Sequence, residues 1–386
     1  MSTNGKPELR KFVAPEMVLG EGALSLIGQY AANFGARRVL LVTDPGVRAA
    51  GWAGPVENAL KEEGISHVVF DAITPNPKDH EVMAGAGVYL SEKCDVIVVV
   101  GGGSPTDCAK GIGIVATNDR HILEFEGMDE VVVPGPPLVC IPTTAGSSAD
   151  VSQFAIITDT ARQVKIAIIS KTLVPDVALI DPETTVTMSP ELTAATGMDA
   201  LVHAVEAYAS NASSPLTDLN GLEAIRLVTS HLPGAVQEPR SSLARRGMML
   251  GSLLAGLAFS NASLGLVHSM AHALGGRMDL PHGDCNAILL EHVIRFNFTA
   301  AAERYRAVGR AMGLDMEGSP ADGELLSQAL VRFRRRVGIH QTLGRLGVTT
   351  ADIPDMARKA FHDPCLATNP VQPTVREIEV IYEQAL

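Results

Sequence analysis

Aromatic residues are scarce in this 386-residue chain, at 4% with a single tryptophan, Trp52, so its core must be built from Ala, Val, Leu and Ile. Basic residues are in deficit: 31 Lys and Arg stand against 43 Asp and Glu, a formal charge of −12. That balance argues against nucleic acid or an anionic membrane as a bulk partner, while leaving room for a small anion bound locally. Cysteine is also sparse. Cys94, Cys108, Cys140, Cys285 and Cys365 form no CxxC and cannot all pair, which excludes a disulfide framework and a cysteine zinc site and fits a reducing compartment. The first residues, MSTNGKPELRKF, lack an apolar stretch with a small-residue cleavage site, so no secretory signal is expected and the cytoplasm is the expected location. Charge itself is missing from Gly247 to Gly276, a run longer than the roughly 20 residues that span a bilayer. The run holds Asn261, His268, His272 and several Ser and Gly, whose polar groups would need partners in lipid, so it is expected as one or two helices buried on all faces.

What is present points to two domains, given about 100–200 residues per domain. The first half alternates short β-branched runs, Arg38–Thr43, His67–Phe70, Val96–Val100 and Leu138–Ile141, with helical stretches. Continuous apolar runs suit strands covered on both faces, hence a parallel sheet between helices. Phe154–Ile157 and Val164–Ile168 read as an appended β-hairpin, and strand signals cease near Asp181-Pro182. From about Ser189 the chain is helix after helix, ending in an amphipathic helix over Val375–Tyr382 that should dock on the second domain. The reading is an α/β dinucleotide-binding domain over 1–184, with a parallel sheet and a non-standard Rossmann-like layout, followed by an all-α domain over 185–386.

Two strand ends carry chemistry. The strand Val96–Val100 runs into Gly101-Gly102-Gly103-Ser104-Pro105-Thr106-Asp107. The glycines allow close backbone approach to a pyrophosphate, and Ser104 as cap, Pro105 as first helical residue and Asp107 three after the cap predict a helix whose positive end faces the phosphates. Asp44 ends the first strand, where a carboxylate accepts from ribose hydroxyls and repels a 2′-phosphate; Asp-Pro-Gly is equally a good turn. Asp44 precedes the glycine loop instead of following it by about twenty residues, so the layout departs from the usual fingerprint. Pro142-Thr143-Thr144-Ala145-Gly146 offers hydroxyls and a glycine at another strand end.

The second half holds a histidine and aspartate cluster. Asp199 and His203 are four apart and share a helical face, as do His268 and His272, and Pro281-His282-Gly283 follows. Buried imidazoles need a partner, a metal or a catalytic task. Imidazole and carboxylate without thiolate suit Fe(II) or Zn(II) with an open position, and spacing leaves open which histidine stands outside the set.

These residues resemble the iron-containing (group III) alcohol dehydrogenase family. The match comprises Gly101–Pro105 with Asp107, Pro142–Gly146, Gly197–Leu201 with His203 and Glu206-Ala207-Tyr208, His268 with Ala271-His272 and Gly275-Gly276, and Pro281–Gly283 with Asn286-Ala287. Pro75-Asn76-Pro77, Lys165, Asp181-Pro182 and Asn369-Pro370 are smaller agreements. The resemblance implies a dehydroquinate synthase-like architecture, with a metal in the cleft between an α/β and a helical domain. It implies Asp199, His203, His268 and His282 as metal ligands and His272 as the catalytic histidine beside the nicotinamide. It implies cofactor contacts from Asp44, Asn76, Gly102, Gly103, Ser104, Thr143, Thr144 and Lys165, with Asp44 favouring NAD over NADP. The implied reaction is hydride transfer between a primary alcohol or small diol, or the matching aldehyde, and NAD, on Fe(II) or Zn(II), in a homodimer or larger homo-oligomer. A polyol or polyol-phosphate dehydrogenase, a metal-dependent lyase of the dehydroquinate synthase type and a non-catalytic regulatory homologue are the alternatives; a phosphate-bearing substrate should need cations near the cleft, where only Arg277 and Arg295 are close in sequence. Two positions depart from the family: Ser147-Ser148-Ala149-Asp150 replaces the common Thr-Gly-Ser-Glu, and Glu291 replaces a common proline. Asp284 and Cys285 either shape the pocket or face away from it.

Overall fold

A computed structural model describes residues 10–386; the N-terminal stretch read for a secretory signal lies largely outside them. Six parallel strands form the main sheet in the spatial order Glu16–Leu19, Val177–Ile180, Leu138–Pro142, Val96–Gly101, Arg38–Val42, Ser66–Phe70. The central strands are apolar at every position except Arg38, which begins its strand, because both faces are covered. Leu40, Val42, Ile97 and Val99 pack with Val82 and Ile112 on one side, whereas Val39, Leu41, Val98 and Val100 pack with Ile27, Val56 and Leu60 on the other. Each such side chain contributes roughly 1.5–3 kcal/mol on burial. The expected hairpin, Phe154–Asp159 with Val164–Ile169, is antiparallel and joins the short strand Gly127–Met128 in a second sheet.

Chain order and spatial order diverge in an informative way. From Arg38–Val42 the chain adds Ser66–Phe70 at the edge, then returns to add Val96–Gly101 on the opposite side. The direction of winding therefore reverses between Arg38–Val42 and Val96–Gly101, and a crevice opens at their carboxyl ends, the place where open α/β sheets bind ligands.

After a short 3-10 turn at Pro182–Thr185, the helices begin at Pro190–Ala209, started by Ser189 accepting from the Leu192 N–H with proline at the first helical position. The charge-free run folds into Ser242–Ala262 and Leu266–Met278, two mostly buried helices that meet at a bend of 99°. No single helix among the described residues is long and apolar enough to cross a membrane. The last helix, Val375–Ala385, buries Ile378, Ile381 and Tyr382 in the helical core, and the Tyr382 hydroxyl donates to the Met270 carbonyl.

Candidate active site

A single cleft of about 1370 Å³ runs from the crevice of the sheet to the helical half. Asp44, Asn76, Gly102, Gly103, Ser104, Thr143, Thr144 and Lys165 line it together with Asp199, His203, His268, His272 and His282, so all the residues expected to contact cofactor, metal or nicotinamide border one space.

At the sheet end, the helix after the glycines spans Gly103–Asn118, and Gly102 is its N-cap with no side-chain cap. This corrects the expected start: Ser104 and Pro105 already lie inside the first turn, because glycine at the junction lets the helix start directly at the strand end. Ser104 Oγ instead accepts from the Asn76 N–H at 3.2 Å, and Asp107 accepts from the Ile156 N–H at 3.1 Å rather than closing a capping box. Burial pushes the Asp107 carboxyl up to about 6. A Cβ on Gly102 would stand 3.0 Å from Thr144 Cγ2, and one on Gly103 would stand 2.9 Å from Ser147 Cβ, so these glycines let two strand-end loops close together. What remains exposed to the cleft is a helix N-terminus with free N–H groups.

Asp44 caps the short helix Pro45–Ala49, its Oδ1 accepting from the Val47 N–H at 2.9 Å, while bordering the cleft. The turn role and an exposure to the cleft thus coexist. Asn76 has a positive φ of 56° and bridges the two halves: its Oδ1 accepts from Lys165 Nζ at 2.7 Å and its Nδ2 donates to Asp279 Oδ1 at 2.5 Å. Burial pulls the Lys165 ammonium down to about 8.

At the helical end, His203, His268 and His282 each direct Nε2 at Asp199 Oδ1, at 3.8, 3.7 and 3.8 Å. Those separations exceed hydrogen bonds and approach the edge of a tetrahedron, about 3.4 Å for bonds of about 2.1 Å. Asp199, His268 and His282 form the tightest group, with donor atoms all within 4.8 Å. Asn286 Nδ2 lies 2.7 Å from Asp199 Oδ1, 3.2 Å from His268 Nε2 and 3.1 Å from His282 Nε2, and two amide protons cannot serve three acceptors. Asn286 Oδ1 and His282 Nδ1 are buried without a partner. A convergence of lone pairs short of protons is what a cation satisfies, so the donor set fits a divalent ion. Burial raises the Asp199 carboxyl, but His203 and His282 outweigh it and hold the group well below the usual range. Burial depresses His203 to about 4 and His282 well below its usual value, leaving neutral, ligand-competent rings. For His268 burial is outweighed by the neighbouring carboxylates of Asp199 and Glu206, which lift it to about 9.

His272 is held otherwise. Its Nδ1 lies 2.8 Å from Asp363 Oδ2, and Asp363 Oδ1 accepts from the Cys365 N–H at 2.8 Å. Burial raises the Asp363 carboxyl, but His272 and the N–H bond outweigh it and keep it below the usual range. His272, Asp363 and Cys365 form a second convergent group beside the first. The spacing of four between His268 and His272 therefore does not make them a chelating pair: the two rings point to different partners.

Sequence reasoning assigned no role to Glu206, Asn286 or Asp363. The first two sat inside matched motifs, whereas Asp363 had no local signal, being brought to His272 from 91 residues away. Phe154 and Phe259 were also missed; Phe259 stacks on His203 with ring centroids 4.4 Å apart. Arg277 pairs with Asp352 and Asp355, and Arg295 with Glu324, so neither borders the cleft, whose lining cations are Lys78 and Lys165. Cys285 packs in the helical core and Asp284 is not among the lining residues, so both face away. The departures from the family pattern are locally accommodated. Ser148 occupies the left-handed region at φ 50°, where glycine costs less, and its Oγ donates to the Ser252 carbonyl at 2.7 Å; Gly256 leaves room for its Cβ. Glu291 is buried, with Oε1 3.5 Å from Arg334 and 3.3 Å from His292, away from the cleft.

A glycine-lined helix terminus at a sheet crevice, opening onto a buried histidine and aspartate cluster, defines a nucleotide- and metal-using oxidoreductase. Residues 14–182 match the model for iron-containing alcohol dehydrogenase, and residues 193–386 match that for the C-terminal part of the Fe-containing alcohol dehydrogenase family. The chain is 44% identical over 370 residues to 1,3-propanediol dehydrogenase of Citrobacter freundii, covering 95% of this chain and 96% of that one. It is 38% identical over 377 residues to NAD-dependent methanol dehydrogenase of Bacillus methanolicus, covering 97% and 99%. A solved structure of 1,3-propanediol oxidoreductase superposes with a TM-score of 0.95 at 41% identity, covering 98% of this chain and all of that one. The chain belongs to the iron-containing alcohol dehydrogenase family, and it is an oxidoreductase acting on the CH–OH group of alcohols.

Proposed function

We propose that the chain interconverts a primary alcohol or small diol and its aldehyde, using NAD in the sheet crevice and one divalent ion, Fe(II) or Zn(II), at the histidine cluster. The observation that carries this reading is the shared cleft, in which the glycine-capped helix and the Asp199 cluster border one continuous space. The division of labour follows: residues 1–184 would hold the nucleotide through Asp44, Asn76, Gly102, Gly103, Ser104, Thr143, Thr144 and Lys165, and residues 185–386 would hold the ion through Asp199, His203, His268 and His282. When bound, the ion supplies Lewis-acid polarisation of the substrate oxygen and the nicotinamide supplies hydride exchange.

The protein's own groups do the rest. Asp44 presents a carboxylate at the ribose end, which favours a 2′-hydroxyl over a 2′-phosphate. Free N–H groups at the start of Gly103–Asn118 would meet the pyrophosphate, which is how an acidic protein can hold a dianion. Asp363 accepts the Nδ1 proton of His272, leaving Nε2 as the atom that takes the alcohol proton in oxidation and returns it in reduction. Phe154, Phe259 and Leu264 line the cleft near the cluster and keep water from the reacting carbon. A phosphate-bearing substrate is disfavoured, since among the described residues the cations lining the cleft are Lys78 and Lys165, both bound to Asn76.

Free, buried cysteines support a cytoplasmic location. Exposed Met17 and Leu19 on the sheet's edge strand support a homodimer or larger assembly, which light scattering measures. The test of function is reduced-cofactor absorbance with metal-loaded protein, NAD or NADP, and a panel of primary alcohols and diols. Turnover with NAD and a small diol is expected; full metal occupancy without turnover on any alcohol overturns the reading.

A further inference from the structure

Helix Leu266–Met278 carries both His268 and His272, and its N-cap residue, Gly265, offers no side chain to its first N–H groups. Those groups are served from elsewhere in the chain. The Leu266 N–H donates to Asn369 Oδ1 at 3.1 Å, and the Val267 N–H donates to Glu206 Oε1 at 2.7 Å. The His268 N–H lies 3.4 Å from Glu206 Oε2, the same oxygen that the His268 ring approaches through Nδ1 at 2.6 Å. A Cβ on Gly265 would meet Glu206 Oε1 and Asn369 Oδ1 at 2.9 Å, so glycine is what admits both caps.

Glu206 sits seven residues after Asp199 and three after His203, on the same face of Pro190–Ala209. One buried carboxylate therefore ties the helix bearing Asp199 and His203 to the helix bearing His268. It also accepts the Nδ1 proton of His268, so that a cation has only the Nε2 proton to displace, and Nε2, the atom aimed at Asp199 Oδ1, is the nitrogen free to offer it a lone pair. Imidazole ligands held this way by a carboxylate are pre-oriented and more basic, and losing such a partner typically costs about ten- to a hundredfold in metal affinity.

We propose that Glu206 is a positioning residue of the metal centre, setting its metal affinity by fixing the tautomer and orientation of His268, while Asn369 only caps the helix. The proposal rests on the metal-site reading above. Asn369 provides the internal comparison, because it serves the same helix end without touching an imidazole: its Nδ2 donates to Asn297 Oδ1 and the Val371 carbonyl.

The test titrates Zn(II) into metal-free full-length protein against a chromophoric chelator, with thermal unfolding of the metal-free protein measured in parallel. Glu206→Gln keeps the side chain's size but places one amide where two acceptor oxygens are needed, and should weaken Zn(II) by about ten- to a hundredfold. Asn369→Ala should lower the thermal midpoint yet leave Zn(II) affinity within about threefold of wild type. Glu206→Asp, which keeps the charge one methylene short, should fall between wild type and Glu206→Gln, and serves alone if the glutamine variant does not fold. Equal Zn(II) losses in Glu206→Gln and Asn369→Ala would reduce Glu206 to a cap and overturn the proposal. So would unchanged affinity in Glu206→Gln or Glu206→Asp while His268→Ala abolishes binding. Unchanged affinity in His268→Ala would instead overturn the metal-site reading itself.

Discussion

The two ends of the cleft are built from opposite materials. At the sheet end the cleft is lined mainly by backbone N–H groups, glycines and small hydroxyls delivered by loops, with Asp44, Asn76 and Lys165 as the side chains that add charge or an amide. At the helical end the cluster is built from side chains on helices, with His203, His268 and His282 aimed at one oxygen of Asp199 and supported by Glu206 and Asn286. Backbone recognition tolerates change as long as space is kept, whereas a cluster of convergent lone pairs depends on each member. The first end should therefore respond to added volume and the second to removed atoms.

The largest expected effect is at the helical end. Replacing Asp199 by Ala removes the carboxylate of the cluster and the oxygen that three imidazoles face, so metal content should vanish and turnover should fall about a thousandfold or more, several kcal/mol of transition-state stabilisation. Metal analysis beside initial rates checks this; retained metal would break the contrast between the two ends. Next is Gly103→Ala, whose added methyl would stand 2.9 Å from Ser147. Overpacking of about 1–3 kcal/mol predicts NAD binding weaker by about ten- to a hundredfold with metal content unchanged. Trp52 borders the cleft and is the chain's single tryptophan, so its fluorescence reports nucleotide binding directly.

A smaller effect concerns pH. Burial lowers Lys165 to about 8, from an ordinary value near 10.5, and a bound dianion favours the protonated amine. The charged form is lost as pH rises through about 8, so NAD affinity should weaken between pH 7 and 9, by at most about tenfold, and Lys165→Met should flatten the profile. An equally steep profile in the variant would place the titrating group elsewhere. Smallest is Ser148→Gly, where relief of about 1 kcal/mol from the left-handed backbone opposes loss of a hydrogen bond to Ser252 worth about as much. The midpoint of thermal unfolding should move by only a few degrees in either direction.

Legibility followed the same division. Continuous apolar runs such as Val96–Val100 announced the parallel strands, and the uncharged stretch announced buried helices, because burial on both faces leaves a pattern in neighbouring residues. The glycine loop was legible as a phosphate candidate, yet its helix starts at Gly103 and not after Ser104, since side-chain capping rules do not apply where glycine turns the chain directly into the helix. Asp199 and His203 were legible as a pair on one face, but spacing also paired His268 with His272, which the fold separates by giving His272 to Asp363.

The sequence by itself determined the class of each half: the periodicity of apolar residues follows from local geometry, and the residue types able to bind phosphate or a divalent ion are few. Only the tertiary structure decided which side chains act together. Glu206 and Asn369 meet Leu266–His268 across 61 and 103 residues, and Asp363 meets His272 across 91. Hydrogen bonds and lone pairs act over about 3 Å in space whatever the separation along the chain, so partnership of that kind leaves no local trace in the order of residues.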